Sequence, residues 1–222
     1  MSSAVIQLLV LAGVAVFLVL KLRNVLGTRE GFEKPPVPLP GRSDPTASGR
    51  PDLEVIEGGP DRDITDHVDE DSSAAKALAK MKSAEPSFNV TEFLGGAKGA
   101  YEMILMAFEG GDIDDIRPFL SDDVAEAFDQ VIANRKSEGL SIEATFIGLR
   151  ENALQDARFD TKSREGELVV KFVSELTSVV RDKGGDIVEG NPTEIKRQRD
   201  IWTFARVMGA DDPNWQLVAT GE

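Results

Sequence analysis

Cysteine is absent from this 222-residue chain, and histidine and tyrosine occur once each. Without cysteine there is no disulfide, no thiolate metal site and no thiol nucleophile, a usage that fits a reducing compartment. The single histidine, His67, sits in an acidic run beside Asp66 and Asp69. A lone imidazole there lacks the other preoriented ligands that a tight metal site needs, and the run reads as a solvated tail with no metal or cofactor. Basic residues are also scarce: Lys and Arg number 25 against 39 Asp and Glu, a formal charge of -14. A phosphate backbone would repel such a body, which excludes nucleic acid as a partner.

The acid is unevenly placed. Residues 1–29 contain Lys21, Arg23 and Arg29 and no acid, whereas the chain from Ser87 onward carries 26 acids against 15 bases. Met1 to Leu20 has no charged side chain, and twelve of its residues are Val, Ile, Leu or Phe. A helix of that length spans roughly 30 Å, the hydrocarbon thickness of a bilayer. The basic n-region and small-residue cleavage pattern of a secretory signal are missing. Residues 1–22 are therefore expected to be a single transmembrane anchor, with Lys21, Arg23 and Arg29 holding the following chain on the cytoplasmic side of a bacterial inner membrane.

Residues 23–71 hold most of the prolines and few large apolar side chains, so they are expected to form a disordered acidic tether. Residues 72–86 predict a short amphipathic helix capped by Ser72 or Ser73, with Ala74, Leu78 and Met81 on one face and Lys76 and Lys80 one turn apart. That helix either lies on a membrane surface or packs on the domain or a partner.

The domain is expected over 87–222. Asn89 as N-cap, Glu92 three residues on, and the pair Phe88 and Phe93 form a capping box and a hydrophobic staple. Apolar residues then recur at helical spacing from Val90 to Phe108 until Gly110 and Gly111. Gly95 and Gly99 within that helix predict a close approach by another element, helix on sheet in the simplest case. A short helix at "DIDDIRPFL" and another from the Ser121 cap to Gly139 follow; the carboxylates of Asp122 and Asp123 suit a helix N-terminus.

After Gly139 the period becomes two. "SIEATFIGLRENALQDARFD" reads as two strands around a turn near Glu151 and Asn152, and "GELVVKFVSELTSVV" as one long strand with Leu168, Val170, Phe172 and Leu176 on a face. Gly184 and Gly185 are expected to supply positive φ in the next turn. "TEIKRQRDIWTFARVM" and "NWQLVATG" then close a hairpin. Helices followed by long antiparallel strands predict an α+β fold, with the helices on one side of a curved sheet. Alternation on the last long strand puts Trp202 and Phe204 on one face with Asp200 and Arg206.

The stretch "DIWTFARV…DDPNWQLVAT", preceded by a strand ending "FVSELTSVVRD", resembles the Tim-forty-four-like domain, named for the membrane-associated adaptor of the mitochondrial protein-import motor. An N-terminal apolar span, a Pro-rich tether and this domain together look like its bacterial TimA-type members. The resemblance covers Phe88 to Glu222. It implies the cone-shaped fold shared with nuclear transport factor two, in which a bent sheet and helices enclose a hydrophobic pocket. Tyr101, Phe108, Phe172, Trp202, Phe204 and Trp215 are the candidate lining, and Lys196, Arg197 and Arg199 the candidate basic rim.

What the resemblance implies is an adaptor rather than an enzyme. It would hold a chaperone, or translocating or assembling chains, against the membrane, where tethering raises effective concentration. The alternative is a binding module for lipid or another small hydrophobic ligand in the same cavity. An isomerase-like enzyme would need a buried carboxylate such as Asp200 or Glu175, since no histidine lies in the domain. The basic strand has a second reading, as a sheet edge protected by charge.

Overall fold

The computed structural model describes residues 61–221. The expected membrane span at 1–22 and most of the expected tether lie outside the described residues, among which no helix is long and apolar enough to cross a membrane.

Among the described residues, four helices and a 3-10 segment precede the sheet. A one-turn helix, α1 (Arg62–Thr65), leads into α2 (Ser73–Ala84) and the long α3 (Val90–Gly110). A 3-10 segment (Asp114–Phe119) then connects to α4 (Asp122–Glu138). Four antiparallel strands follow in sequence order: β1 (Ser141–Phe159), β2 (Glu165–Arg181), β3 (Ile187–Val207) and β4 (Gln216–Gly221). The α+β expectation holds.

The folded body starts earlier than residue 72. Ile64 of α1 is buried, and the Asp63 carboxylate accepts the backbone N–H groups of Val90 (2.8 Å) and Thr91 (3.0 Å). These are orphan donors at the start of α3 that a helix cannot satisfy from within. Lys82 of α2 binds both Asp61 (2.7 Å) and Asp63 (2.8 Å). Residues 61–71, read as tether from their acidity, are therefore part of the body, because two of those acids have structural partners. His67 bonds the Thr91 hydroxyl at 3.0 Å.

Helix α2 buries Ala74, Ala75, Leu78 and Met81 in the core. Met81 reaches the start of β2, where a Cβ on Gly166 would lie 2.9 Å from its Cε; glycine there makes room for the helix. Of the two readings of this helix, packing on the domain is the one realised.

The start of α3 follows its capping signals, with Asn89 accepting the Glu92 N–H at 2.8 Å. The staple closes through a third ring, since Phe88 and Phe93 both pack on Trp215, at 5.9 and 4.8 Å between centroids. Gly111 and Gly139 cap α3 and α4 in the left-handed region. The close approach expected at Gly95 and Gly99 is not found: a Cβ on either, or on Gly96, would meet nothing within 4 Å.

The sheet corrects the expected turn at Glu151 and Asn152. β1 runs unbroken for 19 residues, with irregularities at Phe146/Gly148, Leu149/Glu151 and Leu154/Asp156. Bulges bend a strand without ending it. The two polar residues that suggest a turn have other uses: Glu151 pairs with Lys171 across the ladder at 2.8 Å, and Asn152 donates to the Leu94 carbonyl of α3 at 2.8 Å. In the β2–β3 turn only Gly185 has positive φ. β3 begins six residues before the expected start, at Ile187, and passes through Gly190 at φ 83°.

Candidate functional site

The inner face of the sheet is built by β2 and β3. Leu168, Val170, Phe172 and Ser174 alternate inward on β2, opposite Asp200, Trp202 and Phe204 on β3. Tyr101 of α3 descends onto them, with no exposed surface, stacked on Phe172 at 4.4 Å and tilted on Trp202 at 4.7 Å. Its hydroxyl donates to Asp200 Oδ2 at 2.5 Å and meets Ser174 Oγ at 2.8 Å. Gln198 donates to the other Asp200 oxygen at 3.1 Å. Burial first, and then the Asp200 carboxylate, push the Tyr101 phenol well above its usual range, so it stays a neutral donor.

This arrangement fills the space where a cone pocket was expected. Tyr101, Phe172 and Trp202 are packed core, consistent with rings of this size being mostly buried. Phe108 lies toward the far end of α3, against Phe128 and under the Arg135 guanidinium, each at 4.4 Å. Of the six candidate aromatics, Phe204 and Trp215 line an open groove.

That cavity is an apolar groove of about 260 Å³ between α3 and the segment leading into β4. Its floor is Gly96, Ala97 and Ala100 of α3, and its walls are Phe93, Phe119 and Trp215. Spacing explains the floor: residues three and four apart share a helix face, and here that face has no long side chain. Trp215 is braced by Arg206. The Arg206 guanidinium lies 5.1 Å from its ring centroid and donates to the Pro213 carbonyl at 3.2 Å. Arg206 in turn pairs with Glu85, at the end of α2, at 2.7 Å, while the other Glu85 oxygen accepts the Gly209 N–H at 2.7 Å. Burial would raise the Glu85 carboxyl, but the Gly209 N–H and the Arg206 charge outweigh it and hold it below its usual range. The Arg206 Nε is buried without a partner. Glu85, Arg206 and Trp215 thus form one brace from α2 to the groove wall.

Phe93, Phe119, Gly96 and Ala100 were not singled out as site residues. The signal for the floor was present as the glycine cluster of α3, where the unfilled side faces solvent rather than another element of the body.

The basic rim divides between the two sheet faces. Strand alternation puts Arg197 and Arg199 on the outer face and Lys196 on the inner one. Arg197 and Arg150 grip Glu175, at 3.1 and 2.7 Å, which keeps that carboxyl below its usual range. Lys196 faces the end of α3, where burial raises the Glu109 carboxyl and the charges of Arg135 and Lys196 oppose the rise.

Comparison with known proteins places this geometry. The Tim44-like domain model matches residues 74–222. The chain is 21% identical over 162 residues to the mitochondrial import inner membrane translocase subunit TIM44-1 of Arabidopsis thaliana, covering 70% of this chain and 34% of that protein. It is 22% identical over 148 residues to the TIM44 subunit of Homo sapiens, covering 65% and 32%. The chain thus spans about a third of the length of these relatives. A solved structure, the intermembrane space region of the chloroplast protein ARC6, aligns with a TM-score of 0.38 at 11% identity, over 57% of this chain and 92% of that one. With its family signature extending from α2 to the end of β4, the chain belongs to the Tim44-like domain family.

Proposed function

We propose that this chain is a non-catalytic adaptor that holds protein partners at the cytoplasmic face of a bacterial inner membrane. Residues 1–22 anchor it and the acidic segment before Asp61 tethers it; a chaperone, or chains being translocated or assembled, are the partners. Family membership supports the adaptor role, since the relatives are named as subunits of a mitochondrial import translocase. Confinement to the membrane by a flexible tether raises the effective concentration of such partners to roughly the millimolar range, which makes weak contacts productive.

The observation that carries the reading is the groove of about 260 Å³. Pockets for small molecules run from about 300 to 1,000 Å³ and bury most of the ligand. This groove is smaller and open, and its size suits one or two apolar side chains of a docked polypeptide. The filled interior around Tyr101, Phe172 and Trp202 favours this reading over a lipid-binding module, which would depend on a cavity there.

A photo-cross-linking residue at Gly96 in the full-length membrane protein tests this directly, because a Cβ there meets nothing within 4 Å and the side chain enters the groove. Discrete protein adducts are expected, and Trp215→Ala should abolish them while the circular dichroism spectrum is unchanged. Adducts that persist in a folded Trp215→Ala protein, or labelling of lipid alone, would defeat the proposal.

A further inference from the structure

Residues 35–40 read "PPVPLP", a motif that the adaptor role leaves unused. Proline fixes φ near -65° and has no N–H to give. Segments this rich in proline favour the polyproline II helix, with three residues per turn and backbone carbonyls that have no internal partner. At that period residues i and i+3 share a face about 9 Å apart. Pro35 then pairs with Pro38, and Pro36 with Leu39.

The groove on α3 has the form such a segment needs. Aromatic-lined grooves recognise proline-rich segments, and here Phe93, Phe119 and Trp215 stand over a floor without long side chains. From Phe93 to Ala100 the helix advances about 10 Å, which matches the spacing of two residues on one face of the segment. Asn214 and Trp215 add carboxamide and indole N–H donors to the lining, for carbonyls that a proline-rich backbone leaves free. Charge matches as well. Residues 34–42 contain Lys34 and Arg42 and no acid, whereas Glu92 is the one charged side chain in the lining among the described residues, and Asp211 and Asp212 precede Pro213 on the opposite wall.

The path of the chain brings motif and groove together. Asp63 accepts the Val90 and Thr91 N–H groups, and Glu92 and Phe93 of the groove follow directly. The chain before Asp61 therefore joins the body beside the N-terminus of α3. Twenty residues, 41–60, separate the motif from that point. A coil of that length has a mean span of roughly 25 Å, against a helix diameter of about 10 to 12 Å, so the motif reaches the groove around either side of α3.

We infer that the resident occupant of the groove is this chain's own segment Pro35–Pro40, docked as a polyproline II helix, and that a partner polypeptide enters by displacing it. The inference rests on the groove being a docking site for polypeptide, as proposed above. Covalent connection holds the motif at an effective concentration of roughly the millimolar range, so weak docking is enough to fill the groove. A partner's apparent affinity is then lowered by the fraction of molecules whose groove is free. The same motif from a second copy lacks this advantage, and an anionic lipid would meet Glu92 and a body with 26 acids against 15 bases from Ser87 onward.

The test uses the full-length chain in phosphatidylcholine vesicles, with a photo-cross-linking residue in place of exposed Asn214 at the groove rim, which leaves the floor open. Peptide mass mapping should find an intrachain adduct to residues 32–42. Combining Pro35→Ser, Pro36→Ser, Pro38→Ser and Leu39→Ser should cut its yield about fivefold or more, since the apolar anchors are lost. These changes lie before Asp61 and remove no contact of the body. In native membranes the same variant should give more adducts with other proteins, and an added peptide of residues 32–42 should suppress them. The inference is overturned by the absence of an intrachain adduct, by an unchanged yield in the serine variant, or by an adduct formed only between two copies, which mixing chains of two isotopic masses reveals. If partner adducts at Gly96 still form and still require Trp215, any of those results leaves the adaptor reading standing; the absence of both kinds of adduct ends both.

Discussion

The two halves of β3 belong to one strand and both carry β-branched residues, yet they differ in fate. From Asp200 to Val207 the strand alternates between buried and half-exposed positions, with Asp200, Trp202, Phe204 and Ala205 inside. From Ile187 to Arg199 hardly any side chain is covered, and Ile195 and Val188 are 57% and 55% exposed. Among the described residues, the downstream half has α3 above it and β4 beside it, whereas the upstream half has β2 alone. Apolar character does not bury a strand unless another element brings a complementary face. A fold that leaves half a strand uncovered leaves a surface for other molecules.

The contrast makes graded predictions. Trp202→Ala, in the covered half, should destabilise the body by about 3 to 5 kcal/mol through a large cavity. A loss under 1 kcal/mol by urea denaturation would mean that the inner face is not a packed core. Tyr101→Phe is the next largest: it leaves the buried Asp200 carboxylate without its short donor, at a cost of about 1 to 3 kcal/mol. An unchanged midpoint would show that Ser174 or Gln198 can replace the phenol.

Asp63→Ala should cost about 0.5 to 2 kcal/mol at neutral pH, because two N–H groups at the start of α3 lose their acceptor. This effect depends on pH with a definite sign. Burial would raise the Asp63 carboxyl, but Lys82 and the Val90 and Thr91 donors together hold it far below the usual range. Its stabilisation is therefore complete above the ordinary aspartate value of about 3.9 and is lost as pH falls toward the folded value. Denaturation of wild type and Asp63→Ala from pH 7 down to pH 2 should show the two curves converging in acid. A constant gap would exclude the charge as the cause. The smallest effect is expected upstream on β3, where Ile195→Thr should change stability by less than about 0.5 kcal/mol.

Local signals were read correctly where the chemistry is local. The Asn89 cap, the Gly111 and Gly139 stops, the long β2 strand and the shared face of Asp200, Trp202 and Phe204 all follow from spacing and propensity. Readings failed where a residue's role depends on a distant partner. Glu151 and Asn152 look like a turn until Lys171 and the Leu94 carbonyl engage them. Asp61 and Asp63 look like tether until Lys82 and the start of α3 do the same. The candidate pocket failed for a related reason: composition identifies large rings, but whether they line a cavity or fill it depends on how closely α3 approaches the sheet.

The sequence by itself determined the order and type of most elements, the acidic character of the body and its family, because helix caps, alternation and charge are properties of short stretches of chain. Only the tertiary structure decided that Tyr101, Phe172 and Trp202 would fill the interior and that Trp215 would be braced by Arg206 and Glu85 beside a glycine-floored groove. These outcomes depend on contacts between residues far apart in the chain, such as Glu85 and Arg206, 121 positions apart, where close packing rather than local preference selects the arrangement.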